Sequence, residues 1–136
     1  MSATLTAPDT RHFDESLVVP LPAAGTTVRL ATIELPSRYV GQLEYFAQFT
    51  DLQAAQPAQI DTPELQWLLL VNGRALAPYL NLTRIVNPWG CCGFPLQLRL
   101  DRGSRLELSV RRVPGVTTAV TRVGGRLAGR TWFDDV

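Results

Sequence analysis

Few residues in this 136-residue chain could do acid–base, nucleophilic or metal chemistry. The single histidine, His12, lies near the N-terminus. A Ser-His-Asp or Cys-His site would have to use it as the base. No partners are recognisable around it, so it reads as a solvated residue. The cysteines are adjacent, Cys91-Cys92. Zinc sites need several Cys or His ligands at paired spacing, and this set does not supply them. Adjacent cysteines normally point apart, and a bond between them closes a strained ring. Three states stay open: two reduced thiols, at least one buried beside Trp89 and Phe94; a vicinal disulfide; or an intersubunit disulfide. Glu34, Glu44 and Asp51 could in principle form a glycosidase pair. No spacing singles out two of them, and solvated strand faces are the simpler reading. No Gly-rich loop sits between a strand and a helix to cradle phosphate. The chain shows no catalytic constellation and is read as a non-enzyme without cofactor or metal.

The elements that must position these residues read as β throughout. Residues 1–15 are polar and suggest an extended N-terminal arm, with residues 16–136 as one domain. Strand patterns cover Ser16–Leu21, Thr26–Leu35, Tyr39–Asp51, Glu64–Val71, Arg74–Val86, Leu96–Leu100, Leu106–Val110 and Val116–Phe133. In the second, the apolar parity changes near Ala31, which suggests a β-bulge. In the third, Gly41, Leu43, Tyr45, Ala47 and Phe49 form the better core face. Pro57 breaks any helix over 52–63, leaving a surface loop. Asn72-Gly73 predicts a type I′ hairpin turn, because both central residues need positive φ. Gly124-Gly125 suggests a bulge or bend in the last strand. Trp67 and Trp132 are expected in the core, and Trp89 and Phe94 in a Gly/Pro loop with an exposed aromatic.

Leu96, Leu98 and Leu100 should share a face with Leu106, Leu108 and Val110. Opposed residues of a hairpin share a face. Setting Leu100 against Leu106 also sets Arg99 against Glu107, and avoids Arg99 against Arg105. This predicts a hairpin closed by Arg102-Gly103-Ser104, with Gly103 left-handed.

About eight short strands with turns between them point to an antiparallel β-sandwich, with an eight-stranded jelly roll the leading candidate. An immunoglobulin-like sandwich is the alternative, weakened by the missing Cys–Trp–Cys framework. At 15.0 kDa the chain suits a single domain. Such a chain buries roughly 68% of its unfolded surface, so its core needs no metal or disulfide staple. A hydrophobic content of 46% and a mean hydropathy of +0.04 exclude a disordered chain. No apolar run is long enough to span a membrane, and no signal peptide is visible.

The net charge of +1 conceals an uneven distribution. Residues 1–64 hold three arginines against eight acids, a net −5. Residues 99–130 hold eight arginines against Asp101 and Glu107, a net +6. All 13 basic residues are arginine, whose planar fork grips carboxylates in pairs. The two halves could pair inside the fold, across subunits or on a partner. Nucleic acid is disfavoured as a partner. Arg122, Arg126 and Arg130 would share a strand face if no bulge intervenes. That face, or an adjoining Arg111-Arg112 pair, is a candidate subunit or capsid contact. Asp9 and Arg11 in the arm are candidates too.

The C-terminal half reads Val71-Asn-Gly-Arg-Ala-Leu-Ala-Pro-Tyr-Leu, then Asn87-Pro-Trp-Gly, then a segment from Pro95 to Arg112. It closes with Val123-Gly-Gly-Arg-Leu-Ala-Gly-Arg-Thr-Trp. Over roughly residues 65–133 this resembles small all-β structural proteins of tailed bacteriophages, of capsid-decoration, head-fibre or neck type. The resemblance implies a virion protein that binds capsid or neck subunits in many symmetric copies, as a homo-oligomer such as a trimer. A carbohydrate-binding module using Trp89 is the alternative function.

Overall fold

The computed structural model describes residues 10–51, 65–75 and 94–134. The strands are β1 (Arg11–Pro20), β2 (Thr27–Glu34), β3 (Tyr39–Thr50), β4 (Leu65–Val71), β5 (Arg74–Ala75), β6 (Phe94–Leu100), β7 (Arg105–Arg112) and β8 (Arg122–Phe133). They form an eight-stranded antiparallel β-sandwich. The first sheet has the order β1-β8-β3-β6, and the second β2-β7-β4-β5. Consecutive strands lie in different sheets except β4 and β5. The sheets do not join into a barrel, and among the described strands β1 and β6 edge one and β2 and β5 the other. This order differs from that of an immunoglobulin sandwich, where neighbouring strands A and B share a sheet.

The inner faces meet in one core. Leu30, Leu43, Phe46, Leu65, Trp67, Leu69, Leu100, Leu106, Leu108 and Leu127 are almost wholly buried. Each such side chain contributes about 1.5–3 kcal/mol on removal from water. Trp67 is in the core as expected, although its indole N–H has no hydrogen-bond partner among the described residues. Trp132 is not. It is half-buried and lies opposite Val40, on the row face that carries Arg130 and Gln42.

Two local sequence signals act as expected. Asn72 and Gly73 have φ of 53° and 82°, and close β4 onto β5 with Val71 opposite Arg74. The β2 register shifts between Arg29 and Ala31, so Leu30 and Ala31 are both buried. That is the bulge implied by the parity change.

Several expectations are corrected. The arm cannot extend through residue 15, because β1 starts at Arg11 and pairs with β8 along its length, Arg11 opposite Thr131 and Pro20 opposite Arg122. Phe94 is not in a loop; it opens β6 opposite Phe46. Residues 116–121 precede β8 and are not strand. In β3, a register shift between Leu43 and Tyr45 makes Glu44 a bulge. Beyond it the parity flips, so Phe46 is buried and Phe49 is 37% exposed. β8 carries no bulge at Gly124-Gly125, since its register with β1 is unbroken.

The predicted β6–β7 hairpin does not form. β6 pairs with β3, while β7 lies between β2 and β4 in the other sheet. Leu100 and Leu106 are both buried in the core but belong to opposite sheets, and Glu107 pairs with Thr32 and Leu70 rather than Arg99. Alternation shows only that each strand has one apolar face. Strands side by side and strands facing across a sandwich produce the same pattern. Gly103 is left-handed as expected, with φ of 66°. The turn instead bridges the sheets: Gly103 N–H donates to Tyr39 O at 3.3 Å, and Leu35 N–H to Ser104 O at 2.9 Å.

The glycines of β8 serve close approach. A Cβ on Gly125 would lie 2.7 Å from Leu108 Cδ2 and 3.0 Å from Leu30 Cβ, both in the facing sheet. A Cβ on Gly129 would overlap the Gln42 carbonyl oxygen, beside the β3 bulge. Side-chain tips can yield, whereas a paired backbone cannot. Gly125→Ala is therefore expected to destabilise by about 1–3 kcal/mol and Gly129→Ala by more. Urea unfolding of the two variants checks the order; equal midpoints would contradict it.

Candidate functional site

The outer face of the first sheet carries a mixed charged and aromatic surface. Pairing sets its rows, because directly opposed residues share a face. Val18, Gly124 and Phe49 form one row; Ser16, Arg126 and Ala47 the next. Then come Asp14, Ala128 and Tyr45, followed by His12, Arg130, Gln42 and Arg99. Ala128 has almost no side chain, so its row sinks between taller neighbours. A shallow depression of about 270 Å³ results, lined by His12, Phe13, Asp14, Glu44, Tyr45, Ala128 and Gly129.

The charges around it are paired. Arg126 grips Asp14 bidentately, Nε to Oδ1 at 2.7 Å and Nη2 to Oδ2 at 2.6 Å. Its guanidinium carbon also sits 5.2 Å from the Tyr45 ring centroid. The hydrogen bonds from Arg126 hold the Asp14 carboxyl below its usual range, and Asp14 in turn raises the arginine. Asp14 thus stays an anion at ordinary pH and is a poor general acid. Arg130 Nε lies 3.3 Å from Glu44 Oε2, an ion-pair distance, although that nitrogen makes no aligned hydrogen bond. The β3 bulge puts Glu44 within this reach. Among the described residues, no three His, Cys, Asp or Glu side chains cluster to hold a metal.

Arg122, Arg126 and Arg130 do share this face, as their spacing suggested. The Arg122 guanidinium forms no ion pair among the described residues, although its backbone N–H donates to Asp51. Arg111 lies between Thr27 and Gln66 on the outer face of the other sheet. Arg112 Nη1 donates to Pro22 O at 3.3 Å. Arg111 and Arg112 lie on β7 in the second sheet, whereas the β8 arginines lie in the first. Arg11 is exposed on β1. Asp9, Trp89, Cys91 and Cys92, and the 52–63 loop, lie outside the described residues, as does the Phe94 side chain.

Sequence reasoning left Asp14, Glu44 and Tyr45 unconnected. Asp14 and Arg126 are 112 residues apart, and only the β1–β8 register brings them together. Asp51, also read as a solvated carboxylate, instead ties the end of β3 to the start of β8. Its Oδ1 accepts from Thr121 N–H at 3.0 Å and Arg122 N–H at 3.3 Å, and its Oδ2 from the Thr121 hydroxyl.

No protein-family model matches this chain, and no curated protein matches it. The resemblance to phage structural proteins thus has no support from these comparisons. What they leave standing is an all-β, two-sheet sandwich.

The Asp51 bonds imply a pH dependence. Donation from Thr121, side chain first and then backbone, lowers the Asp51 pKa from 3.8 to about 2. A depressed folded-state pKa favours folding above the unfolded pKa, and this contribution fades as pH falls from 3.8 through about 2. Asp51→Asn is expected to be less stable than wild type at pH 6, with the gap narrowing toward pH 2. Urea titrations across that range check it; a gap independent of pH would contradict the assignment.

Proposed function

We propose that this chain is a non-catalytic structural protein of a virion, a jelly-roll domain that binds and stabilises capsid or neck subunits. The strand order carries this reading. Taken together, β1-β8-β3-β6 facing β2-β7-β4-β5 has the arrangement of two interlocked Greek keys. Jelly rolls of this kind are used in viral capsids and in lectins. The resemblance over residues 65–133 favours the capsid side. A decoration role needs surface rather than a reaction centre. The outer face of the first sheet offers a broad, shallow surface whose carboxylates are already held by arginine. Among the described residues, Arg99 and Arg122 are the guanidiniums of that face left to meet an acidic partner.

A second reading, a carbohydrate-binding module, is favoured by the depression over Ala128. Tyr45 borders it, and the held carboxylates of Asp14 and Glu44 present fixed acceptors suited to neutral hydroxyls. This site would replace or extend the Trp89 loop as the sugar contact.

Particles from a producing culture, banded by density and probed with antibody against the chain, separate the two. The virion reading expects the chain to co-band with particles in fixed ratio to the major capsid protein. Arg122→Glu should then weaken rebinding to stripped particles. A chain found only outside particles, and retained on a glycan panel unless Tyr45→Ala or Trp89→Ala is introduced, would overturn it.

A further inference from the structure

We infer that the free edge of β1 is a self-association site, pairing antiparallel with β1 of a second copy about a two-fold axis through Leu17. This rests on the reading of the chain as an assembly protein and names one of its contacts.

β1 is ten residues long, and no described strand pairs with its outer edge. Leu21 N–H bonds Thr121 O in the same β1–β8 register. Hydrogen-bonded pairs alternate along an antiparallel ladder. The odd residues from Arg11 to Val19 therefore bond β8, and the even residues His12, Asp14, Ser16 and Val18 turn their N–H groups to the free edge. Pro20, which has no N–H to offer, falls on that same edge, where proline is tolerated. Long exposed edges are usually blunted by charged side chains, proline or a bulge. In β1 the charges Arg11, Asp14 and Glu15 lie in the first half and Pro20 at the end, and the stretch Ser16–Val19 carries none of these devices. Instead it exposes Leu17 at 48% and Val18 at 47%.

The register follows from charge and shape. A continuous sheet about a two-fold axis requires each residue to oppose one of its own parity. An axis through Asp14 sets Asp14 against itself, and one through Glu15 sets Glu15 against itself, both repulsive. An axis through Leu17 opposes no like charges. It pairs Ser16 with Val18 of the second copy, Glu15 with Val19, and Leu17 with itself at a non-hydrogen-bonded position, where side chains approach most closely. Leu17 also borders an open slot of about 240 Å³ between the β1 and β2 edges, shared with Leu30 and Ala31. The second copy's Leu17, on the same face, enters that slot. An axis through Phe13 pairs Arg11 with Glu15 favourably, but leaves Leu17 and Val18 beyond the described pairing.

The test is light scattering of the full chain over a concentration series. Mass is expected to rise from 15.0 kDa to twice that value. Ser16→Pro removes one outward N–H and no β8 bond, so it should raise the dimer Kd by about tenfold or more, with circular dichroism and melting unchanged. In a background with Cys91→Ser and Cys92→Ser, Leu17→Cys should cross-link under mild oxidation and Glu15→Cys should not, because Glu15 opposes Val19. A monomer at every concentration overturns the site, as does a dimer indifferent to Ser16→Pro or cross-linked equally through Glu15→Cys. A monomer that still co-bands with particles overturns the β1 contact alone and leaves the virion reading intact.

Discussion

The spacing of the two sheets depends on one close contact. Leu30 and Leu108 descend from the second sheet onto Gly125, where the absent side chain leaves them room. A larger residue there would press on both leucines in the middle of the core. The rest of the architecture adjusts around that contact. The β2 bulge turns both Leu30 and Ala31 inward at this point. Gly129, further along β8, lets the Gln42 carbonyl come close and so accommodates the β3 bulge. The bulge then sends Tyr45 and Phe49 outward while returning Phe46 to the core. A strand depleted of side chains thus organises the inner packing and the outer surface together.

β8 also settles the charge. It is central in its sheet, carries Arg126 and Arg130, and is flanked by β1 and β3, which carry Asp14 and Glu44. The acidic N-terminal part and the basic C-terminal part therefore meet inside the chain. The second sheet repeats this on a smaller scale, with Glu107 bound by Arg29 at 3.0 Å and Arg105 at 3.6 Å. These pairs are about half exposed on the arginine side, and such pairs contribute little to stability individually. Their consequence is for recognition. Among the described residues they leave Arg99, Arg122 and the Val18–Gly124–Phe49 row as the distinct features of the outer face.

Short-range chemistry was legible in the sequence. Asn72-Gly73 could hardly do other than turn, because its backbone preference is local. The bulge near Ala31 showed as a parity slip, and the shared face of Arg122, Arg126 and Arg130 as a simple period. Glu44 left no comparable trace, because its apolar neighbours on both parities, Leu43, Tyr45 and Phe46, fit either face. The charged surface was hidden for a similar reason: a carboxylate on one strand says nothing about which strand will lie beside it.

The sequence by itself determined that the chain is β, where several strands turn, and which face of most strands is apolar. Those properties depend on backbone preferences and on a period of two. Only the tertiary structure decided which strands are neighbours. Leu96–Leu100 and Leu106–Val110 have matched alternation and a tight turn between them, and they nonetheless lie in opposite sheets. Burial rewards an apolar face for meeting another, and is nearly indifferent to whether they meet side by side or across the core. The choice was made by β3, which offered β6 a free edge, and by β2 and β4, which enclosed β7. The candidate surface depends on that same choice, because Asp14, Arg126 and Tyr45 become neighbours only after β8 takes its place between β1 and β3.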